Sequence, residues 1–256
     1  MSSERLIYLP LGGAGEVGMN AYVYGYGRPG KERLILVDVG VTFPDMDGSP
    51  GVDLILPDIA WLAERRDRIE GIFITHAHED HVGAVAHLWP RLRCPVYTTA
   101  FTAAILQRKL IEVGLAGRVP VHIIETGSRQ QLDGFQVEWL EITHSTPESQ
   151  ALVIHTPVAT VFHTGDWKLD LEPVVGQAFD PAANAAYAAK FLKSKYEGSR
   201  NWLTAAGQYH SHTPENFRPY RIKVLSFWNR LKRGDGTVRT AAKPGGGDAD
   251  KTTQDD

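Results

Sequence analysis

Cysteine is nearly absent from this chain. Cys94 is the single thiol among 256 residues, which excludes an intrachain disulfide framework and suits a reducing compartment. It lies in Arg93-Cys-Pro-Val-Tyr97, where a strand is expected to begin, and reads as a buried structural thiol rather than a nucleophile. Long apolar runs are missing as well. No window is apolar enough to span a bilayer. The first residues carry Glu4 and Arg5 with no extended apolar stretch, so no signal peptide is expected. A large charge of one sign is also lacking. The formal net charge is −3, so the molecule is not a polycation, and any nucleic-acid contact requires a local basic surface. What remains is an ordinary globular composition, 43% hydrophobic and 22% charged, long enough for one large core or two modest ones.

Against this background one stretch stands out: Gly71-Ile-Phe-Ile-Thr-His-Ala-His-Glu-Asp-His-Val-Gly83. An apolar run, Ile72 to Ile74, leads in, and a small-residue helical pattern, Val82 to Trp89, leads out. This predicts a buried strand, a turn and a helix. The turn gathers His76, His78, Asp80 and His81. Neutral imidazole and carboxylate suit zinc, and manganese as oxygen ligands increase. His76 and His78 are two apart, so extended backbone points them to one side. Asp80 and His81 follow around the turn, towards a second position. Four such side chains cannot all hold one ion and leave it open, so two divalent ions are expected, an arrangement that clamps attacking and leaving oxygens in phosphoryl transfer.

Further ligand types fall at other predicted strand ends. Arg5 to Leu11 reads as a strand, then Gly12 to Asn20 is glycine-rich, and Ala21 to Tyr24 reads as a second strand. A dinucleotide fingerprint needs a helix there, so a hairpin bringing backbone close to the metal edge is the better reading. Leu34 to Gly40 is a buried strand ending at Asp38, an acid that is costly to bury unpaired. Thr42 to Asp58 is a long Pro- and Gly-rich loop, followed by an amphipathic helix over Asp58 to Arg68. His87 is expected on the surface. Pro95 to Thr98 is a strand, Thr99 to Val113 a helix closed by Gly114, and Val119 to Glu125 a strand. Gln130 to Thr143 turns at Asp133-Gly134 as a hairpin and ends at His144. Ala151 to His155 and Ala159 to Thr164 pair and end at Asp166. His155 and His163, inside strands, are expected to be packed or hydrogen-bonded rather than ligating.

Thr75-His-Ala-His-Glu-Asp-His81 resembles the His-x-His-x-Asp-His signature of the metallo-β-lactamase superfamily. The resemblance implies an α/β (α+β) architecture, the αββα sandwich, with a dinuclear site along one edge. In that site His144 completes the first ion with His76 and His78, Asp80 and His81 hold the second, and Asp166 bridges both. Asp38 orients a metal-bound histidine without ligating. The catalytic set is then Asp80, His81 and Asp166, with Asp80 also placed to orient the nucleophile. Gly12 to Asn20, Val37 to Pro44, Gly51 to Asp58, Thr143 to Pro147 and Phe162 to Asp166 together resemble the bacterial ribonuclease J family, of the β-CASP group. That likeness runs from about Leu6 to Asp180. It implies RNA cleavage by a metal-activated water, endonucleolytic and 5′-to-3′ exonucleolytic, with roles in RNA maturation and turnover in the cytoplasm. Family members commonly pair with themselves.

Family chains are much longer, and no β-CASP insert is recognisable here. The expected organisation is a metallo-β-lactamase domain over residues 1–180, incomplete as a sandwich, a divergent helical and basic segment over 181–242, and a disordered tail over 243–256. Between Arg218 and Lys243 there are eight arginines and lysines and one acid, Asp235. Arg221, Lys223, Arg230, Lys232 and Arg233 are candidate RNA contacts, with Tyr220, Phe227 and Trp228 available to stack bases. A solvated amphipathic helix over Tyr220 to Lys232 explains the same pattern equally well. His210 and His212 repeat the His-x-His spacing without a leading strand. Two other functions stay open: a small-substrate hydrolase of lactonase or thioesterase type, and an incomplete copy without activity.

Overall fold

A computed structural model of the chain describes residues 3–44 and 50–168, and beyond them the single positions 172, 173, 193, 197, 200 and 222. The chain divides into two compact units, Met1–Phe179 and Asp180–Asp256. The first unit carries both sheets.

Strands β1 (Arg5–Gly12), β2 (Ala21–Gly27), β3 (Arg33–Val37), β4 (Ile69–Phe73), β5 (Val96–Thr98) and β6 (Val121–Ile123) form one six-stranded sheet in sequence order. The first three are antiparallel, and β3 to β6 run parallel. Parallel neighbours need crossovers, supplied here by α1 (Ala60–Ala63), by α2 (Glu79–Val82) with α3 (Val85–Leu92), and by α4 (Ala100–Glu112). Strands β7 (Arg129–Leu132), β8 (Phe135–Glu141), β9 (Gln150–His155) and β10 (Thr160–His163) form an antiparallel second sheet, ordered β10-β9-β8-β7.

Strand alternation divides the core in two. Leu34 and Leu36 of β3 face the helices, where they meet Ile72, Val96, Leu62, Trp89 and Leu106. Ile35 and Val37, one residue out of phase, face the other sheet, where Tyr24, Phe73 and Tyr97 pack on Phe135, Val137, Trp139, Leu152 and Ile154. This is a mixed α/β sandwich. Among the described residues the helices lie on the outer side of the larger sheet alone.

Two predicted helices are divided. Over Asp58–Arg68 the α-helix is confined to Ala60–Ala63, with a separate 3-10 turn at Arg66–Arg68. Long-range hydrogen bonds intervene: Arg33 Nη1 donates to the Asp67 carbonyl at 3.2 Å, and Arg68 Nη1 to the Gly30 carbonyl at 2.8 Å. The stretch Val82–Trp89 is the end of α2 and the start of α3. Backbone following β3 runs alongside the break. Val39 N–H donates to the His81 carbonyl at 2.7 Å, and Ala84 N–H to the Val39 carbonyl at 2.9 Å. The remaining predicted strands and the helix over Thr99–Val113 occur with ends moved by a few residues, and Gly114 follows α4 at φ +73.

Candidate metal centre

The buried residues Ile69, Gly71, Ile72 and Phe73 make β4 a central strand, with Glu70 half-buried. The chain leaves the sheet at Thr75, and the four ligand-type residues come on the turn and the opening of α2. His78 precedes that helix in extended conformation, φ −69 and ψ 149, with Glu79 and Asp80 in its first turn. His144 and Asp166 follow β8 and β10, at the ends of strands of the other sheet. The β8–β9 pairing starts at Glu141 opposite Gln150, and Gln150 N–H donates to the Thr75 carbonyl at 3.0 Å. That bond joins the second sheet to the metal turn.

Two groups of donors result. His76 Nε2 and His144 Nε2 each lie 3.1 Å from His78 Nδ1. The edge of a tetrahedron with zinc–nitrogen bonds of about 2.0–2.1 Å is roughly 3.3 Å, so these three nitrogens fit a common cation. The second group is His76, His81 and Asp166, its ligand atoms within 4.8 Å of one another. Within it His81 Nε2 is 3.4 Å from Asp166 Oδ2, and Asp80 Oδ2 stands 3.5 Å from the same nitrogen. Asp166 Oδ2 also lies 4.0 Å from His144 Nε2, between the two groups. The donor set has room for two divalent ions: His76, His78 and His144 would hold one, and His81 and Asp166 the other, with Asp80 Oδ2 beside them.

Beneath the donors sits Asp38, fully buried and at φ +59, a conformation that L-residues rarely adopt. Its Oδ2 is 2.8 Å from His81 Nδ1. The backbone N–H of Thr75 donates to Oδ1 at 2.8 Å, and the Thr75 hydroxyl lies 3.1 Å from Oδ1, 2.9 Å from Oδ2 and 3.0 Å from His76 Nδ1. Burial alone raises a carboxyl pKa. Here His81 overcomes it and the Asp38 pKa is lowered. Asp38 and Thr75 therefore fix both rings from behind. Residue type and spacing do not single out Thr75, though it stands inside the signature stretch. His163 and His155 are hydrogen-bonded, at 3.1 Å to the Tyr24 hydroxyl and 3.1 Å to Thr160 Oγ1. His87 is exposed.

Protonation follows the charges. Burial, then the neighbouring His81, push His76 down to about 3, so its ring is neutral. Burial would lower His81 too, but Asp38 and Asp166 prevail and raise it to about 10. Its hydrogen bond from His81 holds Asp166 at about 2. The high proton affinity of His81 marks the same negative environment that attracts a cation; a cation on Nε2 takes the place of that proton. A cavity of about 350 Å³ opens beside this group, lined by Gly13, Glu16, Asn20, Tyr22, His163 and Gly165 as well as by Asp80, His81 and Asp166. No lysine or arginine is among its described lining residues.

The metallo-beta-lactamase superfamily model matches residues 14–212, most of the chain. The chain belongs to the metallo-beta-lactamase superfamily. Membership makes it a divalent-metal hydrolase scaffold. A Ribonuclease J of Sinorhizobium meliloti is 53% identical over 177 residues, covering 69% of this chain and 31% of that protein. A Ribonuclease J of Thermus thermophilus is 31% identical over 263 residues, covering 94% of this chain and 44% of that protein. The chain thus spans less than half the length of either relative. Among solved structures, the metallo-beta-lactamase fold protein YhfI of Bacillus subtilis has a TM-score of 0.45 at 16% identity, over 63% of each chain. No helix among the described residues is long and apolar enough to cross a membrane. The candidate RNA contacts Arg221, Lys223, Arg230, Lys232 and Arg233, and His210 and His212, lie outside the described residues.

Proposed function

We propose that the chain is a metal-dependent ribonuclease of the ribonuclease J type, hydrolysing RNA phosphodiesters in the cytoplasm with two divalent ions, zinc or manganese. The observation that carries this reading is the arrival of His144 and Asp166, from the ends of β8 and β10, beside the β4 turn. The identity to proteins named Ribonuclease J supports the substrate class.

Ions seated there supply a nucleophile at neutral pH and positive charge against the phosphoryl oxygens. The chain's own residues do the rest. Asp38 and Thr75 hold His81 and His76 in orientation. Asp80, a third exposed, and Asp166, about half exposed, face the cavity where a substrate would lie. With three carboxylates and no lysine or arginine described around it, that cavity disfavours a phosphodiester until its charge is compensated. Binding is therefore expected to depend strictly on divalent ions. The division at residue 180, the basic RNA contacts of the 181–242 segment and self-association belong to the same reading.

The test is metal analysis combined with turnover of 5′-monophosphorylated RNA. Two ions per chain and metal-stimulated cleavage support the reading. Turnover of a lactone or thioester panel without RNA cleavage would favour a small-substrate hydrolase. One ion or none, with no turnover, would favour an incomplete copy.

A further inference from the structure

We infer that the glycine-rich loop before β2 exists to seat Asn20, and that Asn20 is the positioning residue for Asp80, its amide set in one orientation by the Tyr22 hydroxyl. The inference rests on the two-ion reading of the site and assigns a part to a sequence motif that reading leaves unused.

Asn20 is 9% exposed and holds Asp80 twice. Its backbone N–H donates to the Asp80 carbonyl at 2.9 Å, and its side-chain Nδ2 donates to Asp80 Oδ2 at 3.2 Å. The atom facing Asp80 must be the nitrogen, because an ionised carboxylate only accepts. The amide oxygen then points away, and Tyr22 OH donates to it at 2.8 Å. The same Nδ2 lies 3.0 Å from His81 Nε2. One side chain thus holds the Asp80 carboxylate while lying against the His81 imidazole beside it. Tyr22 decides which way round the amide sits.

The glycines make room for this. A Cβ on Gly13, which sits at φ +80, would lie 2.3 Å from Asn20 Oδ1 and 2.4 Å from the Tyr22 hydroxyl. A Cβ on Gly12 would lie 2.1 Å from the Met19 carbonyl oxygen. On the far side, Gly40 N–H donates to the Asn20 carbonyl at 2.9 Å. The loop therefore crosses over the Asn20–Tyr22 hydrogen bond at a distance that a side chain at 13 would forbid. This accounts for its composition without a phosphate to cradle. Asp80 is a third exposed, and an unrestrained carboxylate there samples rotamers that face solvent. Fixing it lowers the entropic cost of ligation, as outer hydrogen bonds do at metal sites.

The experiment is titration of the full, metal-stripped chain with Co(II), following the visible absorption of the bound ion, for wild type, Asn20→Ala and Tyr22→Phe, with thermal melting of each. The wild type should take two ions. Asn20→Ala should keep the first at wild-type affinity and weaken the second by about tenfold or more, with an altered spectrum for that ion alone. Tyr22→Phe, which keeps the ring and removes the hydroxyl, should weaken the same ion less. Two ions at wild-type affinity in both variants would overturn the role of Asn20 while leaving the two-ion reading intact. Equal loss of both ions, or a loss matched by a collapsed melting transition, would make Asn20 merely structural. A wild type that takes one ion or none would remove the second site and this inference together.

Discussion

Asp38 Oδ2 lies 2.8 Å from His81 Nδ1, and neither side chain has more than 2% of its surface in solvent. A buried carboxylate is tolerated because it is fully engaged, by His81 on one oxygen and Thr75 on both. Asp38→Asn keeps the shape and removes the charge. Divalent-metal affinity should fall by about 10- to 100-fold, measured by competition with a chromophoric chelator. Unchanged affinity would mean that Asp38 serves folding alone.

His78→Ala and Asp166→Ala each remove a donor at the edge of the cluster, where both side chains are partly solvent-accessible. Little core packing is lost. Each should abolish metal-stimulated RNA cleavage while the circular dichroism spectrum and melting temperature stay near wild type. Full activity in either variant, with metal content confirmed, rejects the site.

Gly40 carries the loop after β3 past the metal turn. A Cβ there would lie 1.6 Å from the Asp80 carbonyl oxygen, which is backbone and cannot swing aside. Gly40→Ala should cost about 2–3 kcal/mol, as overpacking does, in denaturant unfolding. It should also disturb Asp80 more than the His76–His78–His144 group, so loss of the second ion should precede loss of the first.

Cys94 is buried, and burial pushes its thiol from 9.0 up to about 12. A neutral thiol in the folded state and an ionisable one in the unfolded state give a definite sign. Its contribution to stability is complete below pH 9 and declines as pH rises from 9 towards 12. At pH 8 the native chain should not react with an aromatic disulfide reagent, and denaturant should release one thiol per chain. Rapid labelling of the native chain would contradict this burial.

Trp139 joins the two sheets, fully buried, with its ring 5.8 Å from that of Phe73. Its indole N–H is buried without a hydrogen-bond partner among the described residues. Trp139→Ala should cost about 3–5 kcal/mol. Trp139→Phe should cost under about 1.5 kcal/mol, because the lost volume is offset by removal of an unsatisfied donor. Equal losses in urea unfolding would show that the indole nitrogen is satisfied in solution.

The candidate centre was legible wherever its signal was local. His76, His78, Asp80 and His81 lie in one short stretch after an apolar strand, and strand alternation placed Asp38, His144 and Asp166 at strand ends. Asn20, Tyr22 and Thr75 were not legible as contributors. Their parts depend on hydrogen bonds to residues elsewhere in the fold, such as Asn20 to Asp80, and an asparagine after glycines reads first as a turn. The divided helices failed for a related reason. Periodicity over Asp58–Arg68 and Val82–Trp89 reports which face is apolar, whereas Arg33 and Val39 arrive from distant positions to engage backbone groups near the breaks, and Arg68 reaches away to the Gly30 carbonyl.

The sequence by itself determined the candidate donors: their types, their concentration on one turn, and the strands that would carry the rest. Those follow from side-chain identity and from periods of two and 3.6 residues, which are local properties of the chain. The tertiary structure alone decided the distances that bring His144 and Asp166 within reach of the β4 turn, and the hydrogen bonds that hold Asp38 and Asn20 behind and beside the imidazoles. Those depend on how two sheets stack through Phe73 and Trp139, and that register is fixed only when the whole core is packed.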